Sequence, residues 1–197
     1  MRIIAGTRAR RVLLGPRDMT TRPITDRVKE SVFAVLQPRL ADALVADLFC
    51  GTGSMGLEAL SRGARHAIFV DLDRDALERL AKNIAALDFE SQATVLRADV
   101  FRHALPTPQE APQAHLPQEQ PDLVFVDPPY RLSRRTRPDD PLGKLLAKLS
   151  RRVGPGGLVI VRHERHSNLE KSYQTLLELD CREYGAMAVT FLENPRE

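Results

Sequence analysis

The stretch Asp47-Leu48-Phe49-Cys50-Gly51-Thr52-Gly53-Ser54-Met55-Gly56 joins a continuous apolar run to a helical pattern. Residues 44–49 read as a buried strand and residues 53–61 as a helix, so the glycines fall at a strand-to-helix junction. Glycine there lets the backbone turn sharply and lets a ligand approach the main chain. The unpaired N–H groups at the start of the helix face the same point. A strand, a tight glycine turn and a helix form the first part of a β-α-β unit, which sets the fold class as α/β.

The alternation continues downstream. Residues 66–70 read as a strand and 74–87 as a helix with Leu77, Leu80, Ile84 and Leu87 on one face. A short strand is expected at 94–97 and a helical turn near 100–105. Another strand is expected at 123–126, a helix at 141–152 and a strand at 158–162. Residues 176–184 and 186–192, around Gly185, read as an antiparallel hairpin. Repeated strand–helix units imply a mainly parallel sheet covered on both faces. Upstream, residues 25–37 carry Val28, Val32, Val35 and Leu36 at helical spacing, with Thr25 or Asp26 to cap the start and Pro38 to stop it.

The expected organisation is a basic N-terminal arm at 1–23 and one domain at 24–197. Within that domain, residues 106–121 hold five prolines and four glutamines and read as a mobile surface loop. The 197 residues, 43% hydrophobic and 28% charged, suit one soluble globular domain. No apolar run approaches the roughly 20 residues of a membrane span, and the N-terminus lacks the apolar core of a secretory signal. Cys50 and Cys181 make no disulfide framework and read as free thiols, so the expected location is cytoplasmic. Cys50 reads as a small packing residue. His163-Glu164-Arg165-His166 lacks metalloprotease spacing and a third ligand, so no metal is expected. The net charge of +3 is unevenly spread: +5 over residues 1–30, −6 over 31–130, +6 over 131–152. Two basic segments flanking one site would suit nucleic acid; otherwise they are solvated surface.

The spacing Gly51-x-Gly53-x-x-Gly56, with Asp71 20 residues beyond Gly51, fits two adenosine-containing ligands, NAD and S-adenosylmethionine. Two acids favour the second. Asp47, just before the turn, suits the cationic amino group of a methionine moiety and would repel a pyrophosphate. Asp99, after the third strand, suits an adenine amino group; its plain alternative is a helix cap. With Phe49, Leu72 and Val100 beside them, Asp47, Gly51, Gly53, Asp71 and Asp99 form the candidate cofactor set.

Asp127-Pro128-Pro129-Tyr130 follows the fourth strand. Two successive prolines fix two φ angles and remove two N–H donors. What remains is a rigid ledge of acceptors, the Asp127 carboxylate and the Pro128 carbonyl, with Tyr130 as a stacking surface. A planar amine on an aromatic ring is a poor nucleophile, because its lone pair is delocalised. Accepting its N–H bonds returns electron density to nitrogen and aims it. The loop therefore reads as the catalytic element of amine methylation, and stacking of a base on Tyr130 would contribute ~1–3 kcal/mol.

The chain resembles the bacterial 16S rRNA guanine-N2 methyltransferases of the RsmD type. The likeness rests on Arg2-Ile3-Ile4-Ala5-Gly6, Arg22-Pro23-Ile24-Thr25-Asp26-Arg27-Val28-Lys29-Glu30, Asp47 to Gly56, Leu57-Glu58-Ala59-Leu60-Ser61-Arg62 and Asp127 to Tyr130. The Arg22–Glu30 block is the most specific, since generic methyltransferases lack it. The resemblance implies a Rossmann-like class I methyltransferase fold with a seven-stranded, mainly parallel sheet and a C-terminal antiparallel hairpin. It implies S-adenosyl-L-methionine as cofactor and N2 of guanine 966 as target, with 16S rRNA in the small ribosomal subunit as partner. A monomer with no obligate protein partner is expected. Thr25, Arg27 and Glu30 would lie near cofactor or target base. Arg22, Thr25, Arg27, Arg131, Arg134 and Arg135 form the candidate substrate set. Ile24 departs from the family, which often has a second threonine there, and the 106–121 loop is longer than usual. Other open readings are an amine methyltransferase for another RNA, DNA or a protein amide, and an NAD(P)-binding oxidoreductase. The last leaves the Asp-Pro-Pro-Tyr loop unexplained.

Overall fold

A computed structural model describes residues 1–17, 24–103, 105, 112–114, 116–129, 131–167 and 169–196. β1 (Leu44–Leu48), β2 (His66–Asp71), β3 (Ala93–Arg97), β4 (Leu123–Val126) and β5 (Leu158–Glu164) form the parallel part of one sheet, in the order β3-β2-β1-β4-β5. β8 (Met187–Glu193) pairs antiparallel with β5, followed by β7 (Leu176–Tyr184) and β6 (Ser172–Tyr173). Every residue of β1 and β4 is buried, as expected for central parallel strands covered on both faces.

The two faces carry separate apolar layers. On one, α1 (Asp26–Leu36), α2 (Ser54–Ser61) and α3 (Arg74–Ala86) pack Phe33, Leu57 and Leu80 against Val45, Phe69 and Phe125. On the other, α4 (Pro141–Leu149) packs Leu142, Leu145, Leu146 and Leu149 against Leu44, Val124 and Val159. α1 starts at Thr25, whose side chain accepts Val28 N at 3.4 Å. A short 3-10 turn through Pro38 ends it.

Several boundaries differ from the sequence reading. Among the described residues the sheet has eight strands, the extra one being the two-residue edge strand β6, too short to show a period. α4 stops at Leu149, ahead of Gly154 and Pro155, and β5 runs on to Glu164. The helical turn expected near 100–105 is there at its start: Arg102 N and His103 N donate to the Asp99 carbonyl at 3.0 and 2.8 Å. Residues 106–111 and 115 of the proline-rich loop lie outside the described residues. Leu105 just before the loop and Leu116 within it are buried beside Val124 and Val126.

The N-terminal arm is tied into the domain. Arg2 bridges Val12, and Ile3 and Leu13 are buried in the α1–α3 layer. Gly6 has φ +86° and lies so close to α2 that a Cβ would fall 1.7 Å from the Ser61 carbonyl oxygen. Glu58 organises this junction from a fully buried position. It accepts Ile4 N at 2.7 Å and Ala5 N at 3.0 Å, and pairs with Lys29 Nζ at 3.1 Å and Arg62 Nε at 2.7 Å.

Burial pushes the Lys29 amine down, and the Glu58 carboxylate opposes that fall. Removing the anion leaves two sequestered cations and two unmet N–H groups. Glu58→Ala is expected to cost about 3–5 kcal/mol in urea unfolding. Glu78→Ala, which breaks only the exposed pair with Arg74, should cost about 1 kcal/mol or less.

Candidate active site

The parallel strands place four carboxylates along one edge of the sheet. Asp47 is the penultimate residue of β1, Asp71 the last of β2, Asp99 lies two residues past β3, and Asp127 follows β4 directly. β1 lies between β2 and β4, so the chain order reverses here. Open α/β sheets bind ligands at such a point, outside the strands' carboxyl ends.

The glycine turn is built as its residue types demand. Phe49, Gly51 and Gly53 have φ of +57°, +53° and +86°. A Cβ on Gly53 would meet Leu80 Cδ1 at 2.3 Å, and one on Gly56 would meet the Phe69 ring at 2.3 Å. The same contact brings Gly56 N to Asp47 Oδ2 at 2.8 Å. A Cβ on Gly51 would meet nothing within 4 Å, so the turn is open on that side.

Asp71 spans the turn, accepting Gly51 N at 2.8 Å and Asp73 N at 2.9 Å on its two oxygens. Asp99 caps its own turn by accepting Phe101 N at 3.0 Å, the cap foreseen as its plain alternative. Leu72 is 58% exposed beside Asp71, whereas the Val100 side chain is buried in the α4 layer. Phe49 packs on Phe101, with ring centroids 5.3 Å apart. Burial drives the Asp47 carboxyl well above the usual carboxylate range; the Gly56 N–H opposes this, and the Asp127 and Asp71 charges add to it. Cys50 is buried and its thiol is pushed up by burial, as suits a packing residue.

At the end of β4, Asp127 Oδ1 is sealed from solvent, and Arg162 Nε stands 2.5 Å from it. Burial raises the Asp127 carboxyl and Arg162 counteracts the rise. Arg162 was absent from the sequence-derived site. Its signal was a cation at the end of the apolar run Leu158-Val159-Ile160-Val161, readable only once β5 is known to lie beside β4. Pro128 is buried and Pro129 exposed. The Pro129 carbonyl accepts Leu132 N at 2.8 Å, which turns the chain away from the sheet. Tyr130 and Arg22 lie outside the described residues.

The candidate substrate side chains occupy several settings. Thr25 caps α1 and is exposed, and Arg27 and Glu30 are exposed on the same helix. Lys29 joins that helix to the glycine turn, with Nζ 3.5 Å from Ser54 Oγ. Arg131 is exposed. Arg134 pairs with Glu164 at 2.7 Å and Arg135 with Asp140 at 3.0 Å, both at the surface. Much of the first basic segment serves α3. Arg8 and Arg11 donate to the Leu87 and Ala86 carbonyls at 2.7 Å each, and Arg17 pairs with Asp75. His163 is buried, with Nε2 on Thr190 Oγ1 at 2.8 Å and Nδ1 on the Glu164 carbonyl at 2.9 Å. No helix among the described residues is long and apolar enough to cross a membrane.

The family model described as "Conserved hypothetical protein 95" matches residues 1–193. The chain belongs to this family. Members of the RsmD type are among its relatives. The Escherichia coli K12 protein "Ribosomal RNA small subunit methyltransferase D" is 38% identical over 131 residues, which cover 66% of this chain and 61% of its own length. "Putative rRNA methyltransferase YlbH" of Bacillus subtilis is 32% identical over 193 residues, 96% of both chains. Among solved structures, "Putative methyltransferase yhhF" from Escherichia coli superposes with TM-score 0.81 at 29% identity. That match covers 100% of this chain and 99% of the other. An RNA methyltransferase from Salinibacter ruber, solved with S-adenosyl-L-homocysteine, shares the fold at TM-score 0.62 and 14% identity, covering 89% and 95% of the two chains. The fold is that of the Rossmann-like class I methyltransferases.

Holding a buried Asp47 ionised without a cationic ligand opposes folding. Its folded carboxyl is raised, so stability falls as pH climbs from the usual carboxylate range through the raised value. Asp47→Asn is therefore expected to raise the thermal midpoint of the unliganded protein at neutral pH. Each kcal/mol of relief is worth about 2–4 °C in a chain of this size. The gain should shrink on acidification, where the native carboxyl takes up its own proton. A lower midpoint for the variant at neutral pH would contradict the assignment.

Proposed function

We propose that this chain transfers the methyl group of S-adenosylmethionine to N2 of guanine 966 in 16S rRNA of the small ribosomal subunit. The observation that carries the reading is the row of Asp47, Asp71, Asp99 and Asp127 at successive strand ends around an open glycine turn. Membership of the family and the names of its relatives support rRNA as the substrate class.

The residues present fit the cofactor. Asp47 is a buried carboxyl whose charged form burial disfavours, and a methionine ammonium would stabilise that form. Each Asp71 oxygen accepts one backbone N–H and has a second lone pair for the ribose hydroxyls. Asp99 would accept from the adenine amino group, with exposed Leu72, Phe49 and the Val100 backbone beside the ring. A pyrophosphate suits the turn poorly, because Asp47 already occupies the N–H of Gly56.

When bound, the cofactor supplies an electrophilic methyl group on a positively charged sulfur. The chain's part is positioning. Asp127 and the Pro128 carbonyl accept the two N–H bonds of the base amine, so the nitrogen lone pair points at the methyl carbon. Tyr130 stacks on the base. The N–C bond would replace the methyl–sulfur bond that the cofactor supplies, and Asp127 or water would take the extra proton from nitrogen. Such a transfer would shift positive charge without creating much of it, so the orientation these residues impose would supply most of the rate. Arg22, Thr25, Arg27, Arg131, Arg134 and Arg135 would hold the RNA. Arg134 and Arg135 would exchange surface carboxylates for phosphates, a swap that costs little at exposed positions.

The test is methyl transfer to small ribosomal subunits lacking this modification, with mass mapping of the methylated nucleoside. Methyl-N2-guanine at one position is expected, and equal activity on naked DNA would refute the RNA assignment. Asp127→Ala should lower turnover about 10²-fold or more while keeping cofactor affinity within a few-fold. RNA affinity should also fall steeply with salt, and a flat response would return the arginines to ordinary surface charge.

A further inference from the structure

We propose that Arg162 is a positioning residue for this reaction: its guanidinium holds Oδ1 of Asp127, so that the base amine meets Oδ2 of an ionised carboxylate. The proposal rests on the methyl-transfer reading above and adds to it a residue outside the Asp-Pro-Pro-Tyr loop.

The geometry comes from strand register. Val126 pairs with Val161 across β4 and β5, so the next residues on each strand, Asp127 and Arg162, are set side by side. Asp127 N donates to the Leu48 carbonyl at 3.3 Å, which fixes the backbone on the opposite side. Arg162 Nε lies 2.5 Å from Oδ1, and both side chains are largely enclosed, at 19% and 26% exposure. Oδ1 itself is sealed, so the open part of the Asp127 side chain lies on the far side of the carboxyl group. In this proposal the sealed oxygen belongs to the ion pair with Arg162, and Oδ2 is the acceptor for the ligand. With one acceptor on Asp127 and one on Pro128, the ledge matches the two N–H bonds of a single amine.

The charge has a second effect. Asp47 of β1 and Asp71 of β2 lie along the same strand ends, and burial of Asp127 itself favours its protonated form while the Arg162 charge opposes it. The loop beyond carries Arg131 and Arg134, the latter paired with Glu164. Arg162 is the cation in direct contact with the carboxylate. A protonated Asp127 would offer an O–H where the amine needs an acceptor, so losing Arg162 should disable the ledge first at low pH.

The experiment follows the Asp127 carboxyl carbon by ¹³C NMR through a pH titration of the unliganded protein, with Asp127→Asn to assign the signal. Arg162→Met is expected to move its midpoint upward by about one pH unit or more, and Arg162→Lys to restore most of the shift. In methyl transfer to unmodified small subunits, the acidic limb of kcat should move the same way. KM for the particle and affinity for S-adenosylhomocysteine should stay within about threefold. An unchanged carboxyl midpoint in Arg162→Met would overturn the proposal. So would a loss confined to KM with a weakened salt dependence, which would make Arg162 a phosphate contact. A wild-type protein inert toward ribosomal particles, with the NMR shift still present, would sink the substrate reading and leave the pairing standing.

Discussion

The hydrogen bond from Gly56 N–H to Asp47 Oδ2 fastens α2 to the end of β1, and the rest of the site is arranged around it. It exists only because residue 56 has no side chain: a Cβ would enter the Phe69 ring and crowd the carboxylate itself. The contact draws the helix N-terminus down onto the strand and throws the intervening residues into left-handed backbone at Phe49, Gly51 and Gly53. Asp71 then closes the same loop from the neighbouring strand through Gly51 N. Two carboxylates therefore shape the turn from below while it remains open above Gly51.

That construction is electrostatically uneasy, and the unease is informative. Several anions share one sheet edge, Asp47 and Asp127 are both driven upward by burial, and the Asp127 and Asp71 charges push Asp47 further. A structure selected for stability alone would not gather them. The charges are offset unequally: among the described residues, Asp127 has Arg162 in direct contact, whereas Asp47 has a backbone N–H as its partner. The asymmetry matches two tasks. A carboxylate that must accept from a neutral amine needs its own resident cation to stay ionised. One that must bind a cation is better left without, so that the ligand's charge supplies what is missing.

Much of this was legible in the chain. The strand–turn–helix units, the four acids and the Asp-Pro-Pro ledge each have a local signature, because φ restrictions and apolar periodicity act over a few residues. Tertiary pairings had no such signature. Arg162 looks like a charge ending an apolar strand until β5 is laid beside β4. Glu58 sits inside a helical motif, yet its partners are Ile4, Ala5, Lys29 and Arg62, up to 54 residues away. The arginines of the N-terminal arm are a further case. Their number left nucleic acid and solvated surface both open, and the sequence did not show that Arg8 and Arg11 bind the last carbonyls of α3, where a cation meets the negative end of the helix.

The buried Glu58 cluster also bears on how substrate and cofactor elements could communicate. Lys29 lies one turn along α1 from Thr25, and its amine reaches the Arg2 carbonyl, Glu58 and Ser54 Oγ. Ser54 is the first residue of α2, immediately after Gly53. The helix that presents Thr25 and Arg27 is thereby joined to the start of the helix that closes the glycine turn, through charged groups that cannot be separated without stranding a charge. Such a joint transmits displacement poorly and holds register well. It suits the proposed reaction, whose rate would depend on aiming one nitrogen at one carbon, and it places the demand for precision on the scaffold as well as on the loop proposed to hold the amine.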